Sequence, residues 1–355
     1  MRLHKFQTVD AFVALDLAGA DAGSGPVRWA RKVLQGGAKD LARSHTYTYA
    51  ALQMRRSGAS AGISAEALQR AEAVAAFVAE ASGLVLDGTY LPDAAKGVDE
   101  ADLAPLREAD PRTVSRLGAF AAQCDGLSAA VAADTAVGLD GRTAVIEGFS
   151  ATGPALAEAV TQRGGRIVGV ATAEGSLVNH GGFDPAALAE AWSAHGDKML
   201  SALAGRDRGP GSAGGGGLGD GLDVPGAVWS VGADVVFAGS RMGIVDHGVA
   251  ERLGCLALVP SGRLAYTSKA LAVCRRGGVV AVPDFVALAG STVAAWSDSD
   301  TGDDEVRDGI ASIVSTLMAE ALESGDGPFL GACYAAEAFL ATWQDEPPFG
   351  RPLAS

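Results

Sequence analysis

A glycine-rich turn between two apolar segments is the part of this sequence with the clearest chemical meaning. Residues 143–147 have the composition of a short buried strand, Gly148-Phe-Ser-Ala-Thr-Gly153 follows them, and residues 154–163 have the composition of a helix. A turn of this kind brings backbone N–H groups at the start of a helix close to a pyrophosphate. The pattern predicts a dinucleotide site, and the alternative is a turn that only joins a strand to a helix.

Two positions depart from the dinucleotide fingerprint. Gly148 and Gly153 stand where the first and third glycines belong, but Ser150 replaces the second, so that a Cβ and a hydroxyl group lie where the pyrophosphate would approach. After the next strand, Thr172 takes the position of the acidic residue that binds the adenosine ribose, and Glu174 lies two residues too far along the chain. We therefore expect NAD(P) to bind weakly or not at all. The candidate cofactor-binding residues are Gly148, Phe149, Ser150, Thr152, Gly153 and Thr172.

No other pattern indicates a metal site, a disulfide framework or a serine hydrolase. The four cysteines, Cys124, Cys255, Cys274 and Cys333, are scattered without a C-x-x-C spacing, which is typical of a protein from a reduced cytoplasm. The histidines have no spacing such as H-x-x-x-H, and no G-x-S-x-G motif occurs. We expect a cytoplasmic protein without a bound metal ion.

The composition excludes several classes of partner. With Lys+Arg 28 and Asp+Glu 42 the formal net charge is −14, and no run of basic residues offers a surface to nucleic acid. A hydrophobic fraction of 48% and a mean hydropathy of +0.19 exclude a disordered acidic chain. The sequence has no run of about eighteen apolar residues and no apolar segment behind a basic N-terminus, so we expect neither a membrane span nor a secretory signal.

The elements that must position the glycine turn alternate between strand and helix. Residues 143–171 contain a strand, a turn, a helix and a second strand, which together form a βαβ unit. Strands separated by helices predict a parallel, doubly wound sheet. Further strands are predicted at residues 11–17, 233–237, 255–259 and 279–283, and helices at residues 38–53 and 65–81.

The length of 355 residues and a change of pattern near residue 140 predict an α/β protein of two domains. Residues 1–134, completed by C-terminal helices within residues 306–355, are expected to form an α/β substrate and oligomerisation domain. Residues 135–305 are expected to form a Rossmann-type nucleotide-binding domain. Within it, the Gly-rich residues 205–221 predict a flexible surface insertion.

Several segments match the motifs of one enzyme family in order along the chain. Gly25–Arg28 is similar to G-G-x-R, Leu41–Ala50 to L-A-R-x-M-T-x-K-x-A, Ser57–Ile63 to G-G-x-K-x-G-I, Tyr90–Gly97 to Y-x-x-G-P-D-M-G, Val145–Gly153 to V-x-Q-G-F-G-N-V-G, and Gly277–Gly290 to R-G-V-x-V-V-P-D-x-x-A-N-A-G-G. The chain thus resembles the glutamate/leucine/phenylalanine/valine dehydrogenase family. The resemblance implies a substrate domain, a nucleotide domain, and NAD(P)-dependent oxidative deamination of an L-amino acid.

The resemblance also implies which residues should do the chemistry, and this chain lacks them. The family uses one lysine to bind the substrate carboxylate, a second lysine to activate water, and an aspartate to move protons. The matching positions hold Thr48, Ser60 (twelve residues later, as in the family) and Ala95. Two family asparagines are also replaced, by Arg263 and Leu288. Serine and threonine cannot supply an ammonium group, so oxidative deamination should be lost.

Three functional interpretations follow, and one of them is an active amino-acid dehydrogenase in which the alignment of these motifs is shifted. The first is a non-catalytic scaffold or regulatory partner of an active enzyme, forming a homo-oligomer (a dimer or larger) or a hetero-oligomer with an active paralogue. The second is a repurposed NAD(P)-dependent oxidoreductase that acts on an imine, a keto acid or an amino-acid-derived metabolite in specialised metabolism. In that case His45, Asp93 and Lys96, near the vacated positions, would be the replacement catalytic residues acting on a small-molecule ligand.

Overall fold

The structure is a computed structural model that describes residues 1–206, 222–346, 348 and 350–354. Its contacts divide the chain into two units. Unit 1 comprises Met1–Ala121, Thr292–Gly302 and Cys333–Ser355, and unit 2 comprises Ala122–Ser291 and Asp303–Ala332.

Unit 1 is built on a mixed sheet in which hydrophobic side chains alternate between the two faces. The strands are β1 (Arg2–Lys5), β2 (Ala11–Leu15), β3 (Gly23–Ala30), β4 (Ser57–Ser64) and β5 (Leu91–Ala94), and the helices are α1 (Gln35–Ala51), α2 (Arg70–Leu86) and α3 (Glu100–Leu103). The strand order is β1-β2-β4-β3-β5, with β3 parallel to both β4 and β5. Val13 and Phe77 belong to one core cluster, whereas Phe12 and Ala42 belong to another, because successive residues of β2 point to opposite faces.

Unit 2 contains the predicted doubly wound sheet. Its strands are β6 (Thr143–Glu147), β7 (Arg166–Ala171), β8 (Ser176–Val178), β9 (Val235–Ala238), β10 (Ala257–Pro260) and β11 (Val280–Ala281), in the order β11-β10-β9-β6-β7-β8. Every pairing is parallel except that of β8 with β7. The strand order reverses between β6 and β9, and ligands of such sheets bind at the carboxyl ends of the strands at that point.

The remaining helices lie between residues 119 and 340, and most belong to unit 2, whereas residues 292–296 and 333–340 belong to unit 1. They are α4 (Ala119–Val137), α5 (Gly153–Gln162), α6 (Pro185–His195), α7 (Met199–Arg206), α8 (His247–Ala250), α9 (Ser268–Gly277), α10 (Asp284–Ala287), α11 (Gly290–Trp296), α12 (Asp303–Leu322) and α13 (Pro328–Leu340). No helix of the described residues is both long and apolar enough to cross a membrane.

The observed division differs from the expected domain boundaries at two places. Most of α4 belongs to unit 2, because Gly126 lies against the start of α5: a Cβ there would come within 2.7 Å of Leu156 N. Helix α12 also belongs to unit 2, so the chain returns to unit 1 only with residues 292–302 and again from Cys333. Of the predicted Gly-rich insertion, residues 205–206 end α7 and residues 207–221 lie outside the described residues.

Candidate functional site

The positions that the family resemblance assigns to two lysines hold buried hydroxyl groups. Thr48 on α1 and Ser60 on β4 are both fully buried in the structure. Thr48 Oγ1 donates a hydrogen bond to Ser44 O (3.3 Å), and Ser60 Oγ donates to Pro26 O (3.3 Å). Both hydroxyls therefore bond to the backbone of unit 1, and neither can take the place of an ammonium group.

Two of the candidate replacement residues, Asp93 and Lys96, lie on either side of the third vacated position, Ala95, but they do not pair with each other. Ala95 lies just after β5 and forms an isolated bridge to Val98. Lys96 is exposed on the following turn, and its side chain has no partner among the described residues. Asp93, by contrast, forms a salt bridge with Arg112. The structure thus joins Asp93 to an arginine and leaves Lys96 apart from it.

His45, the remaining replacement candidate, lies on α1 beside strand β4. Its side chain is buried, and its Cβ would be 2.8 Å from a Cβ placed on Gly58. Gly58 is held to the same helix by a hydrogen bond from its N–H to Thr46 Oγ1 (2.9 Å). This position is consistent with a side chain that packs between helix and sheet.

A buried ion-pair network around Arg112 was not foreseen from the sequence. The Arg112 guanidinium, 1% exposed, donates to both carboxylate oxygens of Asp110 (2.9 and 2.8 Å) and to Pro92 O (3.1 Å). Arg107 pairs with the same aspartate (2.9 Å). Burial by itself would raise the pKa of Asp110, but the hydrogen bonds and charge of Arg112 outweigh burial and lower that pKa. Asp93 joins this network through its salt bridge with Arg112, and its side chain is partly exposed.

A second polar cluster in unit 1 surrounds Tyr49, the residue after Thr48. The Tyr49 hydroxyl lies within hydrogen-bond distance of Ser24 Oγ and accepts a hydrogen bond from Trp296 Nε1 (3.1 Å). Burial raises the pKa of Tyr49, so this group stays a neutral phenol near pH 7. The Arg56 guanidinium lies 3.4 Å above the centroid of the Trp296 ring, a cation–π contact.

In unit 2, the glycine turn has the predicted strand–turn–helix geometry. Gly148 has φ +81°, and a Cβ there would come within 2.3 Å of Ser240 N, so the turn requires glycine. Gly153 begins α5, where a Cβ would come within 2.6 Å of the Phe149 ring. Ser150 Oγ lies 3.1 Å from Thr152 Oγ1.

Three of the six backbone N–H groups of this turn donate hydrogen bonds within the protein. Gly148 N and Phe149 N both donate to Ala171 O (3.1 and 2.8 Å), and Gly153 N donates to Ser150 O (2.8 Å). The next residue, Pro154, has no N–H group. Ser150 N, Ala151 N and Thr152 N have no acceptor in the described part of the chain, and the side chain of Ser150 stands where the second glycine of the fingerprint would let a pyrophosphate approach.

The residues after β7, where the adenosine ribose would be bound, also contact their own chain. Thr172 Oγ1 donates to Asp197 O (3.0 Å) and accepts from Glu174 N (3.2 Å). The Glu174 carboxylate accepts from Ser201 N (3.2 Å) and from the Ser201 hydroxyl. Thr172 and Glu174 are thus bonded to Asp197, just before α7, and to Ser201, in its first turn.

Two further polar residues, one at the end of a strand and one on a loop, lie at the carboxyl edge of the same sheet. Glu147, the last residue of β6, accepts hydrogen bonds from Gly239 N and Ser240 N. The sequence signal for Glu147 was its position in the V-x-Q-G-F-G-N-V-G pattern, where it puts a carboxylate in place of the amide of the family glutamine. Arg263 donates to Leu288 O (3.1 Å), which joins the two residues that replace family asparagines. Among the described residues, no group of three or more His, Cys, Asp or Glu could hold a metal ion.

Comparison with known proteins places this geometry in a family. The sequence model of the glutamate/leucine/phenylalanine/valine dehydrogenases matches residues 124–325, more than half of the chain. Comparison with curated protein sequences finds no match.

Solved structures of glutamate dehydrogenases are similar in fold. The chain is similar to the Leu-bound form of hetero-hexameric glutamate dehydrogenase from Thermus thermophilus (TM-score 0.76, 19% identity, 96% of this chain and 86% of that chain). It is also similar to glutamate dehydrogenase from Plasmodium falciparum (TM-score 0.73, 13% identity, 94% of this chain and 77% of that chain). These similarities confirm the expected two-domain α/β class.

Proposed function

The chain belongs to the glutamate/leucine/phenylalanine/valine dehydrogenase family, and from that premise we propose that it is a non-catalytic member acting as a scaffold or regulatory subunit of an active relative. The observation that carries the proposal is the state of the two lysine positions. Thr48 and Ser60 are buried and bonded to the backbone, so neither position supplies a cation for the substrate carboxylate or a base to activate water.

The replacement candidates give little support to the alternative, an oxidoreductase of changed specificity. Asp93 pairs with Arg112, which competes with any role as a proton acceptor. Lys96 is exposed on the turn after β5 and has no contact with Asp93 that would make the two an acid–base pair. The contacts of these residues therefore favour a non-catalytic function.

NAD(P) is the cofactor of the family chemistry, and we propose that this chain binds it weakly or not at all. The side chain of Ser150 in place of the second fingerprint glycine and the internal bonds of Thr172 and Glu174 support this proposal. Each missing hydrogen bond to a charged group costs about 1.5–3 kcal/mol of binding free energy. Loss of two such bonds would weaken a micromolar dissociation constant into the millimolar range.

The proposed partner is an active relative that retains both lysines. One similar solved structure is a hetero-hexamer, which is an assembly containing more than one kind of chain. An inactive chain keeps its fold under selection when it contributes to such an interface, because a symmetric assembly needs every subunit surface even if not every active site.

Two experiments test the proposal. The first measures NAD(P)H formation by the purified chain with glutamate, leucine, phenylalanine and valine. Ordinary enzymes turn over at about 10 s⁻¹, and loss of one proton-transfer group alone costs 10²–10⁴, so we expect turnover below about 0.1 s⁻¹. Turnover of about 1 s⁻¹ or more on any of the four amino acids would contradict the proposal.

The second experiment co-expresses the chain with a lysine-retaining dehydrogenase from the same genome. We expect native mass spectrometry to show mixed oligomers. We also expect the kcat or KM of the active dehydrogenase in these oligomers to differ from its value in the absence of this chain. Separate homo-oligomers with unchanged kinetics would rule out this partner. The triple variant Thr48→Lys/Ser60→Lys/Ala95→Asp serves as a control, since a gain of activity would show that only these three groups are missing.

A further inference from the structure

Two buried polar side chains lie at the carboxyl edge of the unit 2 sheet beside the glycine turn. Glu147 ends β6 and is 5% exposed, and Ser261 follows β10 and is 7% exposed. Glu147 Oε2 accepts hydrogen bonds from Gly239 N (3.1 Å) and Ser240 N (3.2 Å), whereas Oε1 has no partner among the described residues. Ser261 Oγ is likewise buried and unpartnered in the described part of the chain.

The backbone between these two side chains is packed so closely that only glycine fits. A Cβ on Gly239 would come within 2.6 Å of both Ser261 Oγ and Gly262 N. A Cβ on Gly262 would come within 2.4 Å of Gly239 O. The loops after β9 and β10 are therefore held together, with Ser261 Oγ beside Gly239 and the Glu147 carboxylate bound to Gly239 N through Oε2.

This edge suits a hydrogen-bond donor better than a phosphate. It lies where the strand order reverses between β6 and β9, the place at which a dinucleotide would bring its phosphates. The Glu147 carboxylate repels phosphate oxygens and, unlike the Ser261 hydroxyl, has no proton to donate to them. The residues present do not fit a dinucleotide, but both free oxygens are acceptors for N–H groups.

We propose that this edge binds the primary ammonium group of a small ligand, with Glu147 as the charge partner and Ser261 as the second acceptor. A cation with N–H groups forms charge-assisted hydrogen bonds to a carboxylate, which are about twice as strong as those between neutral groups. The inference rests on the proposed weak binding of NAD(P), because both ligands would use the same edge of the sheet.

The test compares methylammonium chloride with tetramethylammonium chloride and sodium chloride at equal ionic strength. Tetramethylammonium carries the same charge but has no N–H group. We expect methylammonium alone to raise the melting temperature of the full chain, because at ten times the dissociation constant it favours the folded state by a factor of about 11. Glu147→Gln should remove this response and Ser261→Ala should reduce it. Glu158→Gln, the same change at an exposed position of α5, should leave it intact.

A second arm measures NAD⁺ binding by titration calorimetry. Glu147→Gln should bind NAD⁺ at least tenfold more tightly than the unchanged chain, because the like charge is removed. A methylammonium response no larger than that of tetramethylammonium, or one unchanged in Glu147→Gln, would overturn the ammonium site and leave the proposed function standing. A dissociation constant for NAD⁺ below about 10 μM in the unchanged chain would overturn both the ammonium site and the proposed weak cofactor binding.

Discussion

Replacing Arg112 by leucine should strongly destabilise unit 1. The size of the loss tests whether Asp93 belongs to a network that stabilises the fold. Asp110 has a fully buried side chain whose two oxygens both accept hydrogen bonds from Arg112. Removing one partner of a buried ion pair costs about 3–5 kcal/mol, because the other charge stays buried. Arg107 still pairs with Asp110, so we expect the lower end, about 3 kcal/mol.

The assay is urea unfolding followed by circular dichroism, with stability obtained from the midpoint and slope. Arg31→Leu is the matched control, since Arg31 is paired with Glu66 on the surface, where both side chains are more than half exposed. Such pairs contribute about 0–1 kcal/mol. Asp93→Asn should lie between the two, because Asp93 is a partly exposed member of the network.

The stabilising contribution of this network also depends on pH. The pKa of Asp110 is lowered in the folded state, so its stabilising contribution is present above the unfolded pKa of about 3.9 and is lost as the pH falls through the lowered value. The stability difference between the unchanged chain and Arg112→Leu should therefore shrink below about pH 4. If the free energy of unfolding of Arg112→Leu at pH 7 lies within about 1 kcal/mol of that of the unchanged chain, the network does not stabilise the fold. Asp93 then becomes a candidate base again.

Three further predictions follow from the described contacts. Gly148→Ala should destabilise unit 2 by more than about 2 kcal/mol, since a Cβ would meet Ser240 N at 2.3 Å, whereas Gly138→Ala, where nothing lies within 4 Å, should cost only about 1 kcal/mol in the same urea titration. Burial raises the pKa of Cys255 to about 12, so a thiol-specific reagent at pH 8 should label it only after unfolding; rapid labelling of the folded chain would contradict the observed burial. As the pH falls below about 4 the unchanged chain should lose stability, because Asp110 binds a proton in the unfolded chain before it does so in the folded chain; no loss in urea titrations there would show that its pKa is not lowered.

Much of unit 2 could be predicted from local sequence patterns. Strands β6 and β7 begin and end where the apolar segments do, because each is a short buried run bounded by glycine or polar residues. The turn at Gly148 was predicted correctly because its conformation depends on residues that are adjacent in the chain. The division into units was less accessible, since α12 is amphipathic on its own and its sequence does not say which sheet it covers.

The sequence by itself determined the family, the doubly wound sheet, and the absence of lysine at positions 48 and 60, because these depend on residue identity and on short-range spacing. Only the tertiary structure decided the partners of the remaining polar groups. It joins Asp93 to Arg112, nineteen residues away, and places the backbone of Gly239 against Glu147 from another strand. Such contacts arise from the packing of segments distant in the chain, and no local pattern encodes which donor will meet which acceptor.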